Sequence, residues 1–233
     1  MGTSYTFTFS PELVPGYIVS ILSAMPVTVY LLVYSLLYGI IIGLLLTIAQ
    51  VKGGPALAKI AHGYISLMRG VPSLVLIFLL YMGLPQIFPS LASLPKSAFI
   101  VTAMTLISSA NLGEMMRSSY LAVDHGQTEA ALSVGMTERQ ALWRIILPQA
   151  VAIAIPNLGN NIISIFKETS LAFTIGTLDL MGRAQALASA NYGTTRLEIY
   201  VAVALIYWAV CLLLQLLTTI IERASSHGRA AVA

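Results

Sequence analysis

Charged residues are so sparse along this chain that they punctuate it. Uncharged stretches run over 13–51, 70–95, 97–113, 145–166 and 199–221. A helix crosses a bilayer core in about 20 apolar residues. The stretches at 70–95, 145–166 and 199–221 each suffice alone. The one at 97–113 is slightly short, so its helix is expected to continue past Glu114 and Arg117. The one at 13–51 is too long for one crossing. Pro26 divides it, because proline lacks the amide proton that a continuous helix uses. The pattern predicts a short interfacial segment over 12–24 and five spans, at 27–50, 62–84, 97–121, 145–166 and 198–221. The apolar runs are continuous, not alternating, and far exceed the ~10 residues of a barrel strand. The expected class is therefore an all-α integral membrane protein, with residues 1–233 forming a single transmembrane domain. Gly39 and Gly43 stand four apart in the first span. That spacing either lets a neighbouring helix approach closely or is chance in a span that tolerates glycine.

Composition supports this class. The chain is 58% hydrophobic and 9% charged, with a mean hydropathy of +0.86. A soluble domain carries about 25% charge, so this chain cannot clothe a globular surface. Cys211 is the sole cysteine, which excludes an internal disulfide framework.

Lys and Arg placement sets the expected orientation. With five spans, one side receives Lys52, Lys59, Arg117, Arg139, Arg144, Arg223 and Arg229, and the other Lys96, Lys167, Arg183 and Arg196. Seven against four puts the N-terminus outside and the C-terminus in the cytoplasm. The absence of Lys or Arg before Lys52 argues against a secretory signal. The formal net charge of +3 is then a membrane signature, and no basic patch with interleaved aromatics suggests nucleic acid.

The loops differ in character. The 85–96 connection, with Pro85, Pro89 and Pro95, reads as a tight rigid link. The 167–197 connection is too apolar for a free loop and is expected to pack against the bundle or dip into it. The loop over 124–144 concentrates charge and has room for a short helix at 127–134. Gly135 permits a left-handed turn after it. A new helix should start near Thr137, and Pro148 falls where that helix enters the membrane.

Residues 129–148 also fit a known pattern. Glu129-Ala130-Ala131, three residues, Gly135, nine residues, then Ile145-Ile146-Leu147-Pro148 resembles the cytoplasmic loop of the membrane subunits of bacterial ABC importers. Tyr64-Ile65-Ser66-Leu67-Met68-Arg69-Gly70-Val71-Pro72, Gly126-Gln127, Leu147-Pro148-Gln149-Ala150 and Lys167-Glu168-Thr169-Ser170-Leu171 resemble the polar amino-acid uptake branch of that family. The likeness covers about residues 26–223. It implies the type I importer fold and a permease subunit rather than an enzyme. Its short cytoplasmic coupling helix would sit in a cleft of an ATPase subunit, with Gln127, Glu129, Ala130, Ala131, Gly135, Leu147 and Pro148 at the contact. The implied partners are a second permease copy or paralogue, two ATP-binding cassette subunits and an extracytoplasmic solute-binding protein. The implied place is the bacterial cytoplasmic (inner) membrane. No Gly-x-x-x-x-Gly-Lys-Ser/Thr loop occurs in this chain, so ATP and Mg would be bound by the partner ATPase, with no cofactor here. The sequence departs from the branch at Val71-Pro72-Ser73, at Ala110-Asn111 and at Asn160-Asn161.

An ionisable group in a span costs at least about 2.5–3.5 kcal/mol and usually faces a cavity or a partner. An amino-acid zwitterion needs an acceptor for its ammonium and a donor for its carboxylate. Glu114 and Arg69 suit these roles. Asn111, Asn157 and Asn160 offer neutral hydrogen bonds, and Lys167 and Glu168 close the fourth span. The same residues admit a plain reading: Glu114 pairs with Arg117, and Arg69, Lys167 and Glu168 snorkel to an interface. His62, His125 and His227 lack metal-ligand spacing. Two rival functions are an ion-gradient-driven secondary transporter and a membrane scaffold that docks a cytoplasmic partner.

Overall fold

The computed structural model describes residues 9–191 and 194–226, and no strand occurs among them. A single turn at Pro11–Leu13 leads into α1 (Val14–Leu22). Then comes α2 (Met25–Lys52), a 28-residue helix with Pro26 in its first turn, where the missing amide proton costs nothing. The short segment expected over 12–24 is this first helix, which packs along the last one through Val14, Ile21, Ile199 and Val203.

The second expected span, a continuous helix over 62–84, is corrected. The chain forms α3 (Gly54–Gly70) and α4 (Ser73–Phe78), and the pair is bent by 102° at the break between them. Val71 precedes a proline and is driven to extended backbone, with φ −87° and ψ 127°. Pro72 then caps the new helix. A wide helical turn over Leu79–Gly83 joins α4 to α5 (Leu84–Ile87), and a further turn covers Pro89–Ser93. The 85–96 connection, expected as a tight rigid link, is thus made mostly of short helical turns.

The next membrane-length helix is α6 (Lys96–Leu121), the most enclosed of the bundle. α7 (His125–Ser133) and α8 (Glu138–Ala141) follow, then a second wide turn at Leu142–Ile146 and α9 (Leu147–Glu168). The two wide turns each end two residues before a proline, Pro85 and Pro148. A proline cannot bond the carbonyl four residues back, and a turn closed one residue further on avoids that clash. The helical run from Glu138 to Ile175 therefore continues past Pro148 and Pro156 as one candidate span.

After α9 the chain tightens into a narrow helix over Thr169–Ile175, reverses at Gly176 (φ +77°) and forms α10 (Leu180–Ala190) and α11 (Arg196–Ser226). Ala172, Ile175, Leu180, Ala184 and Ala188 are buried, so the 167–197 connection does pack into the bundle. Four helices are long and apolar enough to cross a membrane, or up to five if the bent pair counts as one.

α2 and α6 run side by side in the same direction, and theirs is the most extensive helix pairing among the described residues. A Cβ on Gly39 would collide with the Ser108 hydroxyl, and one on Gly43 would sit 3.0 Å from the Gly113 nitrogen. One turn on, the Thr47 hydroxyl donates to the carbonyls of Gly43 and Gly113, both at 2.9 Å. Gly39 and Gly43 thus do admit a neighbouring helix.

Candidate functional site

Three polar surfaces emerge from this frame. The first lies on α3. Lys59, His62, Ser66 and Arg69 are exposed there, at spacings of three, four and three residues that place them on one face. Tyr64 fastens α3 to α6: its hydroxyl donates to the Leu106 carbonyl at 3.1 Å and lies 2.8 Å from the Ser109 hydroxyl.

The second surface is on α6. Asn111, Glu114 and Arg117 are half-buried and successive at three-residue steps. Arg117 grips Glu114 at two points, Nε to Oε2 at 3.0 Å and Nη2 to Oε1 at 2.5 Å. Arg69 and His62 of α3 lie within electrostatic reach of Glu114 but make no ion pair with it. The structure therefore brings Arg69, Glu114 and Arg117 into one electrostatic cluster and adds His62. That histidine reads from the sequence as one of three scattered ones. The signal that finds it is its seven-residue spacing from Arg69.

The third surface is on α9 and repeats the spacing of the first. Asn157, Asn160, Ser164 and Lys167 are exposed at steps of three, four and three, with Asn161 and Glu168 half-buried beside them. Asn161 donates to the Asn157 carbonyl at 2.8 Å. Gly159, on another side of α9, takes Thr218 of α11 so closely that any Cβ would collide with it. The polar stripe thus points away from α11. Asn157 and Asn160 make no side-chain hydrogen bond among the described residues, so their amides are available to a ligand.

The loop between α6 and α9 is built for a defined shape. Asp124 caps α7, its Oδ1 accepting from the Gly126 amide at 2.6 Å. The helix ends at Gly135, φ +85°, where the Met136 amide bonds the Ala131 carbonyl and the Gly135 amide bonds that of Leu132. This paired closure is the usual way a left-handed residue stops a helix. A capping box of Thr137 and Gln140 starts α8. Ala131 is buried, while Gln127, Glu129, Ala130, Leu132 and Val134 are exposed. Gln149 ties Gln127 to the base of α9, its Nε2 3.4 Å from the Gln127 Oε1. Leu147 and Pro148 open α9 directly above the small core of Val123, Ile146 and Ala150. The Gln127–Gln149 contact and the buried Ala131 thus join α7 to the base of α9 and leave its other side exposed.

Sequence reading passed over Asp179. It is buried and caps α10, with its oxygens 2.9 Å from the Gly182 amide and 3.3 Å from that of Met181. Burial pushes its carboxyl up to about 6, against the lowering effect of those amides. An acid just before an apolar helical run is a cap signal legible in sequence.

Residues 39–227 match the family described as binding-protein-dependent transport system inner membrane component. The chain is 41% identical over 207 residues to the "Probable amino-acid permease protein YxeN" of Bacillus subtilis (strain 168), covering 89% of this chain and 92% of that one. It is 46% identical over 160 residues to the "Probable amino-acid ABC transporter permease protein PatM" of Vibrio harveyi, covering 69% and 71%. A solved structure of an amino acid ABC transporter with histidines superposes with a TM-score of 0.85 at 32% identity, over 93% of this chain and 99% of that one.

Proposed function

This chain belongs to the family of inner membrane components of binding-protein-dependent transport systems, and from that premise we propose that it is the permease subunit of an importer for polar amino acids. Two copies, or one with a paralogue, enclose the pathway. Two ATPase subunits bind ATP and Mg and hydrolyse the ATP, and an extracytoplasmic binding protein delivers the solute. This chain supplies no catalytic residue or cofactor, and residues 1–233 act as one permease domain.

The observation that carries the reading is α7. It is a short helix between two membrane-length helices, stopped by a glycine-dependent turn, with a small buried residue behind it and an exposed front. Such a helix transmits force between a docked protein and the spans. In the orientation that Lys and Arg placement favours, five spans put this loop in the cytoplasm, with the N-terminus outside and the C-terminus inside. Gln127, Glu129, Ala130, Ala131, Gly135, Leu147 and Pro148 form the coupling element. ATP binding closes the ATPases, shifts α7 and reorients the cavity.

The two polar stripes and the Glu114 cluster suit a zwitterion. Glu114 accepts the solute's ammonium, Arg69 or Lys167 meets its carboxylate, and Asn111, Asn157 and Asn160 supply directional hydrogen bonds. Glu168 flanks Lys167 at the end of α9.

The test is ATP hydrolysis in proteoliposomes holding the permease, its ATPase and its binding protein. A polar amino acid should stimulate hydrolysis and accumulate inside. Failure of every polar amino acid to stimulate would reject the substrate class. Failure of the ATPase to associate would reject the coupling reading.

A further inference from the structure

A groove of about 550 Å³ opens between α2, α6 and α9. On α9 it occupies a face that carries neither the polar stripe nor the α11 contact. Leu44 and Ala154 stand in its walls, and its lining is almost wholly apolar. Lys52, Tyr120 and Trp143 also line it, and all three lie at the same end of the bundle, where α2 and α6 finish and α9 begins.

We infer that this groove is a binding site for an anionic phospholipid of the leaflet on the Lys52 side, with one acyl chain in the groove and the headgroup phosphate at Lys52.

From Ile40 to Lys52 the groove follows α2 for about 18 Å at the rise of a helix, close to half the ~30 Å hydrocarbon core and so the reach of one acyl chain. Chemistry argues for hydrocarbon there. A polar solute entering here would give up water without gaining hydrogen bonds, which is costly, whereas an acyl chain loses nothing.

Charge decides which lipid. Lys52 is exposed and makes no ion pair among the described residues. Tyr120 and Trp143 beside it are the residue types that settle at headgroup depth. A cation at that depth, above an apolar slot between spans, favours an acidic headgroup over a zwitterionic one.

Trp143 provides the readout. The full-length protein carrying Trp208→Phe leaves it as the single tryptophan. Reconstituted in phosphatidylcholine vesicles, this protein is titrated with phosphatidylglycerol or with phosphatidylcholine, each with brominated acyl chains that quench on contact. Phosphatidylglycerol should reach half-maximal quenching at about a fivefold lower mole fraction. Lys52→Gln should erase that preference, and Ala154→Phe, which fills the slot, should weaken quenching by both lipids. Equal quenching by the two lipids in the Lys52 protein would overturn the inference, as would a preference that survives Lys52→Gln. If another copy of the chain covers the groove, neither lipid will quench Trp143, and that result also overturns it. Should Ala154→Phe fail to fold, the Lys52→Gln comparison decides alone.

Discussion

Arg117 holds Glu114 in a two-point clamp on the half-buried polar side of α6, one helical turn apart and within electrostatic reach of Arg69 and His62 on α3. The clamp is planar and charge-assisted, so it fixes the carboxylate's direction as well as its charge. It also leaves Arg69 and His62 near that carboxylate without a direct partner of their own among the described residues. A clamp of this kind is either a bundle brace or a pre-set acceptor for an incoming cation, and the two make different predictions.

Glu114→Gln keeps the shape and removes the charge. If Glu114 receives the solute's ammonium, uptake in proteoliposomes should fall by about tenfold or more, the scale of one lost charged hydrogen bond. Protein level and ATPase association should hold. If the pair is only a brace, thermal stability in detergent should drop instead, and Glu114→Gln/Arg117→Gln should recover part of it. A folded Glu114→Gln protein with unchanged uptake kinetics would remove Glu114 from the pathway.

Gly135 sits at φ +85° with open space where a side chain would project. The cost of a substitution there is therefore backbone strain alone. Gly135→Val should cost about 1–2 kcal/mol locally and reshape the end of α7. ATPase co-purification should be lost while membrane insertion is normal. Gly135→Asn, which tolerates the left-handed region, should keep most of it. Equal retention of the ATPase by both variants would count against α7 as the docking element.

Gly43 meets backbone, not flexible side chains: a Cβ would lie 3.0 Å from the Gly113 nitrogen and 3.1 Å from the Ser109 carbonyl. Neither can move without parting α2 from α6. Gly43→Val should lower stability by about 1–3 kcal/mol, as other overpacked contacts do. Gly16→Ala is the control, since nothing lies within 4 Å of its Cβ. Thermal unfolding in detergent separates the two.

Asp179 links stability to pH. Its carboxyl rises from 3.8 to about 6 on folding, because burial disfavours the charge. The folded state then holds a proton that the unfolded state has released. Stability from this group is greatest below pH 4, is lost as pH rises toward 6, and is level above that. Asp179→Asn keeps an oxygen for the cap and removes the titration. The stability of the natural protein relative to Asp179→Asn should fall by up to about 3 kcal/mol between pH 4 and pH 7. A constant difference across that range would show that Asp179 does not titrate there.

Single cysteines in a Cys211→Ser background test the orientation. Glu12→Cys and Ser93→Cys should label from one side with an impermeant reagent, and Ser133→Cys from the other. The Ser10 amide bonds Glu198 at the start of α11, which already ties the N-terminal segment to that end of the last span. Labelling of Glu12→Cys and Ser133→Cys from the same side would discard the five-span map.

The sequence alone was enough for the features that composition and the spacing of charges carry. Sparse charge and long apolar runs determined the all-helical membrane class. The turn after α7 was legible in Gly135, whereas Gly39 and Gly43 left close approach and chance open until the structure set them against Ser108 and Gly113. Arg229 and His227 lie outside the described residues. The second span was misread because hydropathy is blind to backbone direction: Val71 and Pro72 are apolar, and only their dihedral limits break the helix there. The 3-4-3 stripes on α3 and α9 were present in the sequence, but a stripe acquires meaning only when the opposite face is seen to be buried. Tertiary structure alone decided that Gly159 turns the α9 stripe away from α11 and that Arg69 and His62 come within electrostatic reach of Glu114. It alone decided, too, that Asp179 lies buried between helices distant in sequence. Charge interactions and desolvation depend on distances across the bundle, and no spacing along one chain segment encodes those distances.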